Sequence, residues 1–241
     1  MRGIILSGGS ATRLRPCTKV TSKQLLPIYN RPMIYYPLNT LVKAGIKEIL
    51  IIVSPERAGD YLNLLGSGRQ FGIKLTYEVQ DKPRGLAEAF IIGENFIDDG
   101  DVTMILGDNI FEDDLTDDIR NFKSGAKIFA KKVPDPERFG VVEIDDKMQA
   151  LSIVEKPLQP KSDLAITGLY IYDHRVIEVA KQVQPSARGE LEIVDLHNWY
   201  LERNELEVAM INGEWIDAGT FDSLLSAQIL ARDRLQNKLI I

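Results

Sequence analysis

The chain has 241 residues, of which 44% are hydrophobic and 27% charged, and its net charge is −6 at neutral pH. This composition is that of an ordinary globular protein, and the negative charge argues against partners such as nucleic acid or an anionic membrane. The single cysteine, Cys17, excludes an internal disulfide and indicates a reducing compartment. Since no signal-peptide pattern and no apolar run of about 20 residues is seen, we expect a cytoplasmic protein.

The first predicted element is a short buried strand over residues 2–6, which runs into a glycine-rich loop over residues 7–12. Glycines let the backbone approach a ligand closely, and guanidinium groups suit phosphate oxygens. The loop lacks the spacing of a Walker A or dinucleotide-binding motif, and a tight structural turn would explain its glycines alone. Such a turn would not explain the cations that follow it, so we favour a polyphosphate site; they are Arg13, Arg15, Lys19 and Lys23.

Strand and helix patterns then alternate along the first half of the chain. This alternation predicts βαβ units and a mostly parallel sheet. The predicted elements are a helix over 33–44, a strand over 48–53, a helix over 56–65, a strand over 73–79, a helix ending near 96 and a strand over 101–106.

From about residue 126 the pattern changes to strands with little helix between them. We therefore expect a smaller antiparallel or mixed extension of the sheet within one compact domain spanning 1–241. The predicted strands cover 128–133, 140–144, 149–154, 165–172 and 207–211, and the predicted helices cover 174–182, 190–202 and a last helix to 235, capped by Thr220 or Asp222.

Two aspartates stand at strand ends that precede turns of small residues. Asp108 follows the strand at 101–106, and Asp217 follows Trp215 and Ile216. In open α/β sheets ligands bind at the carboxyl ends of strands, and a carboxylate pair suits Mg²⁺ when substrate phosphates complete the coordination. Each aspartate taken alone is equally well explained as a turn or cap residue. Together with a phosphate loop, they favour a metal site.

Four other side chains are open to simpler interpretations. Glu155 and Lys156 end a predicted strand, where they could hold a sugar hydroxyl and a phosphate, but residue chemistry alone favours a surface ion pair. His197 lies in a helical stretch beside Leu196 and Trp199, which predicts a packed or surface histidine. Cys17 is expected to be a packed, unreactive thiol and not a nucleophile.

Nine ordered motifs make the chain resemble the sugar-1-phosphate nucleotidylyltransferases over nearly its whole length, and most of all their thymidylyltransferase branch, which acts on glucose 1-phosphate. The resemblance implies a Rossmann-like three-layer α/β/α fold, with a nucleotide-binding part near 1–112, a sugar-phosphate part near 113–219 and a C-terminal helix near 220–236. The motifs are Gly8–Leu14, Ser22–Pro27, Pro32–Leu38, Gly85–Ala87, Leu106–Asn109, Glu155–Pro157, Thr167–Tyr170, Arg188–Ile193 and Trp215–Asp217.

The resemblance also implies roles for individual residues. Arg13, Lys23, Asp108 and Asp217 would be catalytic, with both aspartates holding Mg²⁺. The implied nucleotide site comprises Leu6, Gly8, Gly9, Ser10, Ala11, Thr12, Arg13, Gln24, Gln80, Gly85 and Asp108. The implied sugar-phosphate site comprises Gly140, Glu155, Lys156, Thr167, Tyr170 and Arg188.

The implied reaction joins dTTP and glucose 1-phosphate into dTDP-glucose and pyrophosphate by in-line attack on the α-phosphorus. Two alternatives stay open: another nucleotide such as UTP, or a non-catalytic nucleotide-sugar sensor on the same fold. A homo-oligomer is expected, since the apolar end Leu239–Ile241 suggests burial against a partner chain.

Four positions depart from the pattern of the family. Ala11 stands where glycine is usual, Phe139 where tyrosine is common, and Ala218 where threonine is frequent. Arg84 occupies a position that is usually acidic, close to the loop expected to read the base. Ala11 bears on phosphate binding and Arg84 on nucleotide preference.

Overall fold

The computed structural model describes residues 1–9, 11–236 and 238–241. The strands are β1 (Arg2–Ser7), β2 (Pro27–Ile28), β3 (Arg31–Pro32), β4 (Glu48–Val53), β5 (Lys74–Val79), β6 (Val102–Leu106), β7 (Asn109–Phe111), β8 (Ala126–Lys132), β9 (Gly140–Ile144), β10 (Ala150–Glu155), β11 (Leu164–Tyr172), β12 (Leu206–Met210) and β13 (Trp215–Asp217). The helices are α1 (Tyr35–Lys43), α2 (Ala58–Leu65), α3 (Glu88–Ile92), α4 (Glu94–Ile97), α5 (Thr116–Arg120), α6 (Val176–Gln182), α7 (Ile193–Leu201) and α8 (Phe221–Leu230), which continues as a π turn over Ala231–Leu235.

One large mixed sheet organises the molecule. Its strand order is β10-β9-β11-β6-β1-β4-β5, and β8 lies against β11 with β12 beyond it. Strands β5, β4, β1 and β6 are mutually parallel, β11 is antiparallel to both β6 and β8, and β12 is parallel to β8. The mostly parallel sheet with an antiparallel extension, β9–β10, is therefore confirmed.

The central strands are buried on both faces, which explains their unbroken apolar sequences. Along β1, Ile4 and Leu6 face one hydrophobic core and Ile5 faces the other. Helices α3, α4, α6 and α7 cover the first face, while α1, α2 and α5 cover the second. This arrangement is the predicted three-layer α/β/α fold.

A short two-stranded ribbon stands apart from the main sheet. Strand β7 pairs antiparallel with β13, with Asn109 opposite Asp217 and Phe111 opposite Trp215. The sequence pattern gave no separate strand at 109–111, because three residues are too few to produce a periodic signal. The ribbon joins the end of β6 to the segment just before α8, and so brings two distant parts of the chain to the same edge of the sheet.

Helix α8 begins at the predicted position. The Thr220 side chain accepts a hydrogen bond from the backbone N–H of Ser223, whose own hydroxyl accepts one from the Thr220 N–H. This reciprocal capping satisfies donors that an uncapped first turn would leave free. Thr220, and not Asp222, is therefore the cap.

The apolar C-terminal end packs against its own chain. Leu239 contacts the small core under α8, Ile241 contacts the core beneath α1, and the Ile240 backbone N–H donates to Asn39 Oδ1 at 2.7 Å. Only Ile240 is strongly exposed, at 61%. Two of the three apolar side chains are thus already covered, and the homo-oligomer stays a prediction.

Several helix boundaries differ from those predicted. A 3₁₀ turn over Pro55–Arg57 precedes α2, and α7 begins at Ile193 instead of residue 190. The helix expected up to residue 96 is interrupted at Gly93, where a Cβ would lie 3.1 Å from Ile4 Cδ1 and 3.0 Å from the Ala89 carbonyl. The glycine lets this helix pack closely on the sheet. None of the helices in the described ranges is both long and apolar enough to cross a membrane.

Candidate active site

Two cavities meet at the carboxyl ends of β1 and β6. The first, of about 210 Å³, is lined by Leu6, Gly8, Gly9, Lys23, Gln24, Gln80, Gly85 and Asp108, among others. The second, of about 470 Å³, includes Arg13, Gly140, Glu155, Lys156, Tyr170, Arg188 and Asp217. Both are lined by Leu86, Leu106, Asp108 and Glu190. The first cavity holds residues expected to bind the nucleotide and the second those expected to bind the sugar phosphate.

The glycine loop lies in close contact with Gln80. A Cβ at Gly8 would lie 2.6 Å from Gln80 Oε1, so a side chain at position 8 would displace that amide. Gly9 has a φ of +98°, a conformation in which larger residues are strained. Sequence and geometry thus agree that both glycines are needed for this path of the backbone.

Ala11 has a left-handed backbone conformation, with φ 47° and ψ 36°. For a residue with a Cβ this conformation is disfavoured by about 1–2 kcal/mol, which explains why glycine is usual there in the family that the motifs resemble. The Ala11 carbonyl accepts a hydrogen bond of 2.8 Å from Thr18 Oγ1. The loop therefore keeps the glycine-like conformation although the residue is alanine.

The β7–β13 ribbon brings Asp108 and Asp217 together. Asn109 pairs with Asp217, and the Ala218 backbone N–H donates to the Asp108 carbonyl at 2.9 Å. Burial, together with the adjacent charge of Asp108, raises the pKa of Asp217 to about 7. Two carboxyl groups in contact resist simultaneous ionisation unless a cation joins them.

Lys23 and Arg13 complete what we call the nucleotide-side cluster, defined as Arg13, Lys23, Asp108 and Asp217. The Lys23 ammonium donates to Asp108 Oδ2, and both side chains are largely buried. Burial works against both charges, yet the ion pair prevails: the pKa of Lys23 is raised and that of Asp108 is lowered. The Arg13 guanidinium lies beside Gly219, where a Cβ would be 2.9 Å from Arg13 Nη2 and 3.1 Å from Asp217 Oδ1.

The base side of the first cavity is built on Gln80 and Gly85. Gln80 is buried, and its Nε2 donates to Glu88 Oε2 at 2.8 Å and to the Gly85 carbonyl at 3.4 Å. Gly85 has a φ of +109°, and a Cβ there would lie 2.4 Å from the Leu191 carbonyl. The loop at 80–87 therefore packs closely on the segment that carries Arg188, and backbone hydrogen bonds between Leu191 and both Arg84 and Ala87 join the two.

On the sugar side, Arg188 is surrounded by carboxylates. Its Nη2 lies 3.0 Å from Glu155 Oε1, 2.8 Å from Glu192 Oε2 and 3.6 Å from Glu190 Oε2. We call these four residues the sugar-side cluster. A substrate phosphate that binds Arg188 has to compete with the three carboxylates.

Lys156 lies at the edge of this cluster. It directly follows β10 with an unusual φ of 42°, and its N–H donates to the Phe139 carbonyl at 2.9 Å. Its Nζ lies 3.3 Å from Glu155 Oε1. Because both side chains line the larger cavity, the pair belongs to the site and is more than a surface ion pair.

Three described residues that the sequence assigned to the nucleotide and sugar-phosphate sites line neither cavity; they are Ala11, Thr12 and Thr167. Thr12 is exposed and lines neither of them. Thr167 lies in β11 between two cavity-lining residues, but its Oγ1 is buried without a hydrogen-bond partner in the part of the chain that the structure describes. Ser10 lies outside the described residues. Ala11 lines a neighbouring depression on the other side of the loop, together with Lys23.

Asn109 ends the motif Leu106–Asn109, but the sequence predicts no role for it. It is buried, and its Oδ1 accepts hydrogen bonds from the Gly168 N–H at 2.9 Å and from Trp215 Nε1 at 2.7 Å, while its Nδ2 donates to Asp108 Oδ1 at 3.2 Å. It therefore ties β11 and β13 to the carboxylate pair. Its place directly after Asp108 is the only signal in the sequence, because its contacts come from distant residues.

The other departures from the family pattern lie around the cavities. Phe139 packs edge-on against Trp215, with ring centroids 5.2 Å apart, and both rings line the larger cavity. Ala218 is fully buried. Arg84 is largely exposed, and its Nε lies 3.8 Å from Glu88 Oε1, so it contacts the residue that holds Gln80.

The donor set fits a divalent cation that also binds substrate. Among residues 1–9, 11–236 and 238–241 no group of three or more His, Cys, Asp or Glu side chains is arranged to hold a metal. The Asp108–Asp217 pair offers carboxylate oxygens alone, and burial together with the charge of Asp108 raises the pKa of Asp217. Hard cations such as Mg²⁺ are commonly bound by one or two carboxylates plus substrate phosphates.

Comparison with known proteins agrees with this geometry. The family model described as nucleotidyl transferase matches residues 2–234. A curated glucose-1-phosphate thymidylyltransferase of Neisseria gonorrhoeae is 55% identical over 94% of this chain and 81% of its own length. One of Mycolicibacterium smegmatis, with the same name, is 49% identical over 96% of this chain and 82% of its own length.

Solved structures show the same fold. A crystal structure from Bacillus anthracis, provisionally named a glucose-1-phosphate thymidylyltransferase and bound to sucrose, matches with a TM-score of 0.91 and 48% identity, covering 97% of this chain and 96% of the other. A UDP-glucose pyrophosphorylase complexed with UDP-glucose matches with a TM-score of 0.84 but only 23% identity, covering 96% and 98%. The second likeness concerns the fold alone.

Proposed function

The chain belongs to the nucleotidyl transferase family, and on that basis we propose that it transfers a thymidylyl group from dTTP to glucose 1-phosphate. The products are dTDP-glucose and pyrophosphate. The observation that carries this proposal is the position of the nucleotide-side cluster, where the two cavities meet at Asp108. A reaction between two bound phosphates needs its charge-stabilising groups at such a junction.

The reaction joins two anions that repel each other. An oxygen of the sugar phosphate attacks the α-phosphorus of dTTP, the bond from that phosphorus to the bridging oxygen breaks, and the electron pair leaves with pyrophosphate. Because the attacking oxygen is already anionic, no strong general base is needed. The protein's main tasks are to align the two phosphates and to stabilise the charge that spreads between them.

The residues of the site fall into groups, each with its own task in this mechanism. Arg13 and Lys23 hold the phosphates of the nucleotide, and the backbone of the glycine loop follows the triphosphate. Lys156 and Arg188 hold the phosphate of the sugar, while Glu155 and Tyr170 contact the sugar ring. Gln80 and Gly85 read the edge of the pyrimidine.

We further propose that Asp108 and Asp217 hold Mg²⁺. When bound, this ion supplies a positive charge that offsets the negative charge of the reacting phosphates. The pair is suited to it, because Lys23 neutralises only one of the two carboxylates.

UTP is the second candidate nucleotide, and one observation favours keeping it. Arg84 contacts Glu88, which in turn accepts the hydrogen bond of the proposed base reader Gln80. A cation in that chain of contacts changes the surroundings of the pyrimidine, where dTTP and UTP differ by one methyl group.

The direct test is pyrophosphate release from a matrix of nucleotides and sugar 1-phosphates, with Mg²⁺ and with a chelator. We expect the highest kcat/KM for dTTP with glucose 1-phosphate, and turnover only with the cation. A preference for UTP would replace the nucleotide assignment. No turnover for any pair would refute the enzyme and leave a nucleotide-sugar sensor.

A further inference from the structure

Glu88 is an acid next to the first cavity to which the proposed reaction gives no role. It is the first residue of α3, its side chain is only 15% exposed, and it lines neither of the two cavities. Its Oε2 accepts the hydrogen bond of 2.8 Å from Gln80 Nε2, and its Oε1 lies 3.8 Å from Arg84 Nε. Any effect of Glu88 on a bound base therefore passes through Gln80.

The partners of the Gln80 amide determine which way it is turned. Its Nε2 donates to Glu88 Oε2 and, at 3.4 Å, to the Gly85 carbonyl, so both amide hydrogens point at acceptors. Neither an ionised carboxylate nor a backbone carbonyl can donate, so the reversed amide would place Oε1 against two other oxygens. The surroundings therefore favour the orientation in which Oε1 is turned away from Glu88.

The amide oxygen of Gln80 lies in the wall of the first cavity. A Cβ at Gly8 would be 2.6 Å from this Oε1, and Gly8 lines the first cavity but not the depression on the other side of the loop. Oε1 accepts no hydrogen bond from the described residues, yet it is not one of the fully buried oxygens that lack a partner there. It therefore keeps accessible surface, although Gln80 as a whole is only 6% exposed. A base that reaches this wall meets an acceptor.

The edge of a pyrimidine decides whether it can pair with this acceptor. Thymine and uracil carry a hydrogen on ring nitrogen N3, which can donate to Oε1. Neutral cytosine has no hydrogen on N3, so two lone pairs would face each other. A polar group left unpaired in a desolvated site costs free energy, so such a site discriminates against the base that cannot donate.

We propose that Glu88 is a positioning residue, which turns the Gln80 amide so that its oxygen selects pyrimidines with an N3–H and rejects cytosine. The proposal rests on the function proposed above, because it specifies which bases the same nucleotide site accepts. It does not separate dTTP from dUTP, since both carry the N3–H and they differ by one methyl group. Glu88 acts through Gln80 and touches no substrate itself.

Kinetics with different pyrimidines test this role. We measure the preference for dTTP over dCTP as the ratio of their kcat/KM values, and expect about 10- to 100-fold in wild type. Glu88→Met has a side chain of similar length without oxygen, so this preference should fall about five- to tenfold. The preference for dTTP over dUTP should stay at the wild-type value. An unchanged preference over dCTP, or an equal change in both preferences, would overturn the proposal.

The conservative variant Glu88→Gln shows whether the hydrogen bond matters. Its Oε1 can still accept from Gln80 Nε2, so it should keep most of the preference for dTTP over dCTP. If Glu88→Gln lost as much of this preference as Glu88→Met, orientation of the amide by an acceptor would be refuted.

Two further variants separate orientation of Gln80 from a general effect on the fold. Glu94 lies in the neighbouring α4, pairs with Lys181 and lines neither cavity, so Glu94→Met should keep the wild-type preference for dTTP over dCTP. Gln80→Leu has no amide to orient, so adding Glu88→Met to it should change this preference no further. A further fall in the double variant would show that Glu88 does not act through Gln80.

Titration calorimetry measures the same selectivity without turnover. We expect wild type to bind dTTP more tightly than dCTP, and Glu88→Met to narrow the difference. If Glu88→Met fails to fold, N3-methyl-dTTP probes the acceptor in wild type, where binding as tight as that of dTTP would refute the proposal. Selective binding without turnover would refute the proposed reaction but keep the role of Glu88. Turnover with equal affinity for dTTP and dCTP would refute that role alone, and no nucleotide binding would refute both.

Discussion

The nucleotide-side and sugar-side clusters balance their charges in opposite ways. In the first, the Lys23 ammonium pairs with one of two adjacent carboxylates while the Arg13 guanidinium lies near the other, and the Lys23 and Asp108 side chains are only 14% and 12% exposed. In the second, a single guanidinium is shared by three carboxylates, and Arg188 is 40% exposed. Burial makes the first cluster sensitive to any unbalanced charge, whereas solvent screens the second.

This difference indicates what each cluster is prepared to accept. The nucleotide-side cluster is suited to gain a cation, because burial and the charge of Asp108 raise the pKa of Asp217, which forms no salt bridge among the described residues. The sugar-side cluster is suited to exchange one anion for another, because a phosphate can displace carboxylates from Arg188 where solvent screens the remaining repulsion. The two halves thus prepare for opposite events, cation capture and anion exchange.

The largest effect is expected from Asp217→Asn. The amide keeps the shape but removes a charged ligand, so kcat/KM should fall by about 10²-fold or more in the pyrophosphate assay. The midpoint of thermal unfolding in metal-free buffer should not fall, because the substitution also removes repulsion with Asp108. Asp222→Asn, at an exposed acid of α8, is the matched control and should leave both quantities unchanged. If Asp217→Asn kept the wild-type turnover, the proposed contrast between the nucleotide-side and sugar-side clusters would be contradicted.

The next largest effect is expected from Arg188→Ala. Losing a charge-assisted contact to phosphate should raise the KM for glucose 1-phosphate about 10- to 100-fold, with little change in the KM for dTTP. The exposed Arg69→Ala is the control. Equal changes in both KM values would show that Arg188 supports the whole site instead of gripping the sugar phosphate.

The buried imidazole of His197 predicts a pH dependence of stability. His197 has a pKa of about 3 in the folded chain against 6.5 as its ordinary value, so the unfolded chain binds more protons between these pH values. Its contribution to stability is therefore complete above about pH 6.5 and is lost as the pH falls toward 3.

Urea unfolding at several pH values checks this expectation. In His197→Asn the free energy of unfolding should depend less on pH below 6.5, by up to about 1.4 kcal/mol per pH unit. His174→Asn, at the exposed histidine, should keep the wild-type dependence. If the His197 variant keeps the wild-type slope as well, the imidazole is not held neutral.

A smaller effect should follow from relieving the competition around Arg188. Glu190 is 45% exposed and its Oε2 lies 3.6 Å from Arg188 Nη2, so Glu190→Gln removes one competitor for the substrate phosphate. We expect the KM for glucose 1-phosphate to fall about two- to threefold, as for the loss of an exposed ion pair. A rise in KM would mean that Glu190 itself contacts the substrate, which would contradict anion exchange.

The smallest effect is expected in the glycine loop. Ala11→Gly should stabilise the protein by about 0.5–1 kcal/mol, because the left-handed conformation at position 11 disfavours a Cβ. The same change at Ala58, which has a φ of −54°, should destabilise it by a similar amount. Urea unfolding compares the two variants. Destabilisation by both would show that Ala11 is not strained.

The parallel half of the fold could be predicted almost completely from local pattern. Strands β1, β4 and β6 are continuous apolar runs because both faces of the sheet are covered by helices. The β7–β13 ribbon could not be predicted in the same way. It joins Asn109 to Asp217, which are far apart in sequence, and its register depends on contacts that no local pattern encodes.

The candidate site, like the fold, could be predicted only in part from the sequence. The sequence predicts that Asp108 and Asp217, two strand-end acids, form one site, and the ribbon shows how they are brought together. The sequence alone does not indicate that three carboxylates surround Arg188, because those contacts depend on how the loop at 186–192 folds back on β10. The sequence predicts a packed or surface histidine at position 197. The structure shows that it is packed, and that its Nε2 has no hydrogen-bond partner among the described residues.

The most direct test of the account is ³¹P NMR of a mixture of the protein, dTTP and glucose 1-phosphate, recorded with Mg²⁺ and with a chelator. We predict dTDP-glucose and pyrophosphate in equal amounts with Mg²⁺, and neither with the chelator or with Asp217→Asn. Product formation that is unaffected by the chelator would contradict cation capture by the carboxylate pair. An unchanged spectrum with Mg²⁺ would contradict the proposed reaction itself.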